Sequence, residues 1–179
     1  MASEIEAKLK VNSHDEVIER LEALGGRFAG EQSQSDYYYD NAGRSMTRSD
    51  KCLRLRIQVT AGQEKAFLTY KGAREQNRFK KRREIEIEIS DCDSARELLL
   101  ILGYEKVITV EKTRRLWALG GCQVALDDLP MLGCFVEIEG PDEKQIAEVQ
   151  ESLGLTQLPH IKESYASLTD EKIHGPLRN

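Results

Sequence analysis

Alternation with a period of two residues, repeated down the chain, constrains this sequence more than any other feature. In SEIEAKLKV (Ser3 to Val11), Glu4, Glu6, Lys8 and Lys10 fall on one face of an extended strand; Ile5, Ala7, Leu9 and Val11 fall on the other. The two-faced pattern returns in CLRLRIQV (Cys52 to Val59), EIEIEI (Glu84 to Ile89), QVALDDL (Gln123 to Leu129) and FVEIE (Phe135 to Glu139). SDYYYDN (Ser35 to Asn41), KAFLTYKG (Lys65 to Gly72) and ITVEKTRRLWAL (Ile108 to Leu119) add further strand candidates. About eight strands, joined mostly as antiparallel hairpins at Asn41-Ala42-Gly43, Ala61-Gly62 and Gly120-Gly121, predict an α+β fold.

Helices punctuate the strands. Ser13-His14-Asp15-Glu16 has the form of a capping box, after which Val17, Ile18, Leu21 and Leu24 recur at helical spacing until Gly25-Gly26. Asp91 to Ser94 leads into ARELLLIL and Gly103, and Pro141-Asp142 leads into a helix through Ile146, Val149 and Leu153 that stops at Gly154. Strand, capped helix and Leu-Gly thus occur three times, a loose repetition that predicts a two-half architecture. The 179 residues form one domain of ordinary size, residues 1–170, with 171–179 expected as a flexible tail.

The charged faces are unusual in how they sort. Arg54 and Arg56 share a face, as do Lys112 and Arg114, and Lys71 follows Thr69. Carboxylates cluster elsewhere: Glu84 and Glu86 after Arg82, Asp127 after Gln123, and Glu137 with Glu139. Every strand also has an apolar face that must be covered, and amphipathic helices can cover only one side of a sheet. An open sheet would show the charges to solvent; a closed barrel would turn them into its lumen, and periodicity alone does not choose. A barrel lumen would hold roughly seven cations and seven carboxylates, a costly burial unless a ligand bridges them. A polyphosphate with divalent metal is such a bridge: its oxygens take Arg and Lys donors, while Mg²⁺ or Mn²⁺ takes carboxylates.

Other classes receive no support. The net charge of −5 argues against general nucleic-acid binding. The basic run Arg78 to Arg83 has only Lys80 and Arg82 on the Glu84 face, and reads as a substrate-gathering mouth. No apolar run reaches membrane-spanning length and the N-terminus has no apolar signal region, so a cytoplasmic protein is expected. Cys52, Cys92, Cys122 and Cys134 are far apart, which suits reduced thiols rather than a metal cluster. His14, His160, His174 and Trp117 read as structural or surface residues.

The motifs carry a resemblance. Glu4-x-Glu6-x-Lys8 resembles the ExExK signature of the CYTH superfamily, the triphosphate tunnel metalloenzymes. Asp36-Tyr37-Tyr38-Tyr39-Asp40, Leu53-Arg54-Leu55-Arg56, Leu68-Thr69-Tyr70-Lys71-Gly72 and Arg82-x-Glu84-x-Glu86 follow in the family's order. Glu111-Lys112-Thr113-Arg114, Leu126-Asp127, Gly133-x-Phe135-Val136-Glu137-Ile138-Glu139 and Ser164-Tyr165 complete the set, which is most similar to the class IV adenylyl cyclase branch. The resemblance implies a closed eight-stranded antiparallel tunnel with a charged lumen, helices outside, and a homodimer.

It also implies a division of roles. Lys8, Arg54, Arg56, Lys71, Arg82, Lys112 and Arg114 would grip a triphosphate; Glu4, Glu6, Glu137, Glu139, Asp127, Glu84 and Glu86 would face Mg²⁺ or Mn²⁺. Lys8 and Glu6 would be closest to the chemistry. The substrate would be tripolyphosphate, ATP or another organic triphosphate, with no nucleic acid and no membrane involved. Some class IV cyclases carry a His-Phe pair shortly before ExExK, where this chain has Met1-Ala2-Ser3, so hydrolysis is expected ahead of cyclisation. A simple polyphosphate sensor would gain nothing from so many carboxylates.

Overall fold

The side-chain alternation is realised in eight strands and, among the described residues, five helices. The computed structural model describes residues 3–74 and 80–175, with the side chains of Ser3, Glu4, Lys80 and Lys81 outside that description. In chain order the elements are β1 (Ser3–Val11), α1 (Asp15–Ala23), β2 (Arg27–Asn41), α2 (Ser45–Arg48), β3 (Cys52–Thr60), β4 (Gln63–Lys71) and β5 (Lys80–Ile89). They continue with α3 (Cys92–Ile101), β6 (Tyr104–Leu119), β7 (Cys122–Leu129), β8 (Gly133–Glu139), α4 (Glu143–Ser152) and α5 (Tyr165–His174).

All strand pairings are antiparallel, in the order β1-β5-β4-β3-β2-β6-β7-β8. β1 also pairs with β8, with Glu6 opposite Glu139 and Lys8 opposite Glu137, so the order returns on itself as a closed barrel. The topology repeats: exchanging β1 through β4 for β5 through β8 reproduces every pairing. α1 after β1 corresponds to α3 after β5. The two-half architecture read from loose sequence repetition is therefore present in the strand order.

Outward apolar rows supply the core. Leu9, Val124, Leu126, Val136 and Ile138 are fully buried against Val17 and Leu21 of α1 and Ile146 and Val149 of α4. Each such side chain contributes roughly 1.5–3 kcal/mol. Leu99 of α3 covers Tyr39 and Leu55 on a second part of the wall. Beyond it, Ile85 and Ile87 of β5 and Leu98 and Ile101 of α3 remain exposed. α5 closes one end of the barrel, where Tyr165 packs on Val110, Leu129 and Phe135. No helix among the described residues is long and apolar enough to cross a membrane.

Several local expectations are corrected. β2 begins at Arg27, eight residues before the stretch read from sequence, because register shifts between Phe28 and Gly30 and between Tyr38 and Tyr39 let it follow β6 along its length. Glycine, glutamine and serine conceal that start. The capping box at Ser13 does not form: His14 is the N-cap, and Ser13 instead exchanges hydrogen bonds with the Asp15 backbone N–H and carboxylate. His14 is a buried tie, with Nε2 2.9 Å from the Phe135 carbonyl and Nδ1 3.1 Å from an Arg115 guanidinium nitrogen. By contrast, Asp91 and Asp142 cap α3 and α4 as their sequences suggest. Glu171 to His174, assigned to a flexible tail, form the end of α5; residues 176–179 lie outside the described residues.

Candidate active site

The inward rows of the strands enclose a cavity of about 400 Å³. All seven expected triphosphate-binding cations line it: Lys8, Arg54, Arg56, Lys71, Arg82, Lys112 and Arg114. Glu6, Glu84, Glu86, Glu137 and Glu139 line it too. The Glu4 side chain lies outside the described residues, although its backbone pairs with Arg82 across β1 and β5. Arg78 and Phe79 also lie outside them, so the basic run is represented in the cavity by Arg82 alone among described side chains. On β2 the inward row reads Tyr38, Asp36, Gln34, Gln32; beside it on β3 it reads Cys52, Arg54, Arg56, Gln58. Charges therefore occupy the middle of these rows, with aromatic and thiol groups at one end and amides at the other.

Asp36 is the first residue to which sequence reasoning gave no role. It is 1% exposed and accepts two bonds from Arg56, Nε to Oδ1 at 2.6 Å and Nη2 to Oδ2 at 2.8 Å, while Arg54 Nη1 lies 3.6 Å away. Burial alone would raise its pKa, but the Arg54 and Arg56 guanidiniums outweigh burial and hold the carboxyl well below the usual range. The pair is thus permanently charged. The signal was available: Asp36 stands two residues from Tyr38 and Gln34 on the same inward row.

Tyr165 is the second. Two ammonium groups stand over its ring, Lys8 Nζ at 4.0 Å and Lys112 Nζ at 4.8 Å from the centroid. Its hydroxyl donates to Asp127 Oδ2 at 2.8 Å. Burial and the neighbouring Glu137 and Asp127 charges push its pKa well up, so it remains a phenol and a donor. Sequence showed only Ser164-Tyr165 as part of a motif; its placement depends on α5 folding back over the barrel end.

Asp127 sits beneath the lining rather than in it. Fully buried, it receives Arg114 Nε at 2.6 Å and Nη2 at 2.5 Å, besides Tyr165, with Lys112 Nζ at 3.4 Å. Those contacts make it an anchor for two of the expected triphosphate-binding cations. Glu137 is similarly engaged, with Lys8 Nζ at 3.3 Å and a short contact to Arg114. Glu84 pairs with Lys71 at 2.9 Å, and the half-exposed Glu86 accepts from Thr69 at 2.8 Å.

Lys112 shows what this crowding does. Burial and the adjacent Arg114 charge outweigh Asp127 and push its pKa from 10.5 down to about 7. A depressed lysine costs stability while it is protonated in the fold, and that cost fades as pH rises from about 7 to 10.5. An anion in the lumen acts in the opposite sense and returns the proton. Titrating tripolyphosphate at pH 8 in buffers of different ionisation enthalpy should show wild type taking up most of one proton more than Lys112→Met. Equal uptake would mean that Lys112 does not change charge on binding.

The donor set fits divalent metal in one specific manner. Glu6 and Glu139 stand directly opposite across β1 and β8, both lining the lumen, where two carboxylates come from neighbouring strands. Among the described residues no three carboxylates converge to form a complete cage. Mg²⁺ characteristically takes one or two carboxylates and completes its shell with water and substrate phosphates. Among the described residues, the buried Nε atoms of Arg54 and Arg82 have no hydrogen-bond partner, which leaves donors for further acceptors.

The sequence profile of the CYTH domain matches residues 2–165. The chain belongs to the CYTH family. Among its relatives is adenylate cyclase CyaB from Aeromonas hydrophila, 27% identical over 180 residues, covering 95% of this chain and 90% of that one. The solved structure of the PH1819 protein from Pyrococcus horikoshii is 34% identical with a TM-score of 0.82, covering 94% of this chain and 99% of that one. A Hippeastrum protein shares the fold at 15% identity and a TM-score of 0.70, covering 97% of each chain.

Proposed function

We propose that this CYTH protein hydrolyses an inorganic or organic triphosphate held in its lumen, with Mg²⁺ or Mn²⁺. The observation that carries the reading is the convergence of seven cations on one cavity of about 400 Å³ that also contains the opposed Glu6 and Glu139. Forked guanidiniums of Arg54, Arg56 and Arg114 suit paired phosphate oxygens, and Lys71 and Lys112 act as point charges. Asp36 and Asp127 hold those cations in place before substrate arrives, so little reorganisation is needed when charge spreads over the phosphoryl oxygens. Lys8, fixed by Glu137, the Glu163 carbonyl at 3.1 Å and the Tyr165 ring, stabilises charge on the departing phosphate. Glu6 and Glu139 hold the divalent ion, which when bound supplies Lewis-acid polarisation and a more acidic water.

Hydrolysis requires no group beyond water, the metal and the triphosphate grip, and the Hippeastrum protein of the same fold is described as having a dominant triphosphatase activity. The second reading is a class IV adenylyl cyclase, supported by the name of the Aeromonas relative. There the ribose 3′-hydroxyl of ATP would attack the α-phosphorus and release pyrophosphate. Incubation with ATP or tripolyphosphate, each with Mg²⁺ or Mn²⁺, followed by chromatographic separation of products, decides between them. Orthophosphate without cyclic AMP is expected; cyclic AMP with pyrophosphate would establish the cyclase instead.

A further inference from the structure

Glutamines line the end of the lumen away from α5. On β2, Gln34 stands two residues from Asp36 in the inward row, with Gln58 of β3 on one side and Lys112 of β6 on the other. Arg56 and Arg114 are the next inward residues along those two neighbouring strands. Gln34 is 3% exposed, and its neighbours fix which way its amide turns. Gln58 directs its Nε2 to Thr60 Oγ1 at 3.5 Å, so its oxygen is left for Gln34. Gln34 Nε2 donates to that oxygen at 2.9 Å and to Gln32 Oε1 at 2.8 Å. Its own Oε1 is buried with no hydrogen-bond partner among the described residues. A buried acceptor without a donor is costly, and none of the three flanking cations relieves this one. It calls for a donor that arrives with the substrate.

We infer that Gln34 Oε1 accepts a hydrogen bond from the water that attacks the terminal phosphorus, and so sets its line of approach. This deepens the proposed hydrolysis and rests on it. Ionised phosphate oxygens only accept, so they would be repelled by the carbonyl; water is the donor that fits between them. Arg56, Lys112 and Arg114, the cations nearest Gln34 in the strand register, hold the terminal phosphate. Lys8 is tied to the Glu163 carbonyl and the Tyr165 ring at the α5 end, the side on which pyrophosphate departs. Attack from the glutamine end is therefore in line with departure toward α5. The water oxygen bonds to phosphorus while the bridging P–O bond breaks, its electron pair leaving on pyrophosphate. One water proton stays on the new orthophosphate and the other passes to solvent. Gln34 takes neither, because an amide is not a base; it contributes by orientation alone.

Two substitutions separate orientation of water from binding of phosphate. Gln34→Met keeps the side-chain length and removes the carbonyl, while the half-buried Gln32 and Gln58 can turn to solvent. Gln34→Glu keeps an acceptor in place but sets a negative charge beside the phosphate. Turnover of tripolyphosphate is measured at saturation with Mg²⁺, and affinity by calorimetry with EDTA present. Gln34→Met is expected to lower kcat roughly a hundredfold and to leave affinity within about twofold of wild type. Gln34→Glu is expected to keep kcat within about fivefold and to weaken affinity about tenfold or more. A Gln34→Met kcat within about threefold of wild type would overturn the inference. So would a roughly hundredfold loss of kcat in Gln34→Glu at the wild-type melting temperature, because Gln34 would then serve only to hold Gln32 and Gln58. Failure of wild type to release orthophosphate from tripolyphosphate would instead remove the proposed hydrolysis, and the role of Gln34 with it.

Discussion

Changing both Glu6 and Glu139 to glutamine is expected to lower tripolyphosphate turnover by about 10³-fold. The factor corresponds to about 4 kcal/mol of transition-state stabilisation, within the several kcal/mol that a metal acting on a phosphoryl group supplies. Glutamine keeps the volume of each side chain and removes both charges from a directly opposed pair. Without metal, the same change takes negative charge out of an anion site, so tripolyphosphate should bind the double variant at least as tightly as wild type in EDTA. The two readouts move in opposite directions, which distinguishes lost metal from lost fold. Turnover within tenfold of wild type would place the metal elsewhere in the lumen.

The other large effect is on stability. Asp127→Ala leaves Lys112 and Arg114 buried without the carboxylate that holds them, and also removes the acceptor of the Tyr165 hydroxyl. Breaking a buried pair in this way costs about 3–5 kcal/mol, which for a chain of this size lowers the melting temperature by roughly 10 °C. Tripolyphosphate should restore much of the loss, because it binds the folded state and supplies the missing negative charge. A variant that melts within about 2 °C of wild type would show that Asp127 carries little of the cage. Thermal melts with and without ligand at about 1 mM (roughly a thousandfold above a micromolar Kd) make the comparison direct.

Much of the site was legible because strand alternation is local. Whether Arg54 and Arg56 share a face depends only on the two-residue period, and every residue assigned to the triphosphate grip does line the lumen. Asp36 was equally legible on that criterion, yet its motif drew attention to the tyrosines around it. Tyr165 was not: it lies on a helix, far along the chain from Lys8, and meets Lys8 and Lys112 only because α5 crosses the barrel end. Asp127 kept its predicted face, and the register of β6 and β7 sets Arg114 directly across from it.

By itself, the sequence determined the strand count, the two-faced character of each strand, the cation and carboxylate inventory of one face, and the repeat that the strand order expresses. Those properties follow from side-chain period and residue type, which need no knowledge of distant neighbours. Only the tertiary structure decided that β1 meets both β5 and β8, that Glu6 opposes Glu139 while Asp127 binds Arg114, and that Gln34 meets Gln58. Each depends on strand register or on where a helix comes to rest, and both are set by contacts between residues far apart in the chain, which alternation does not encode.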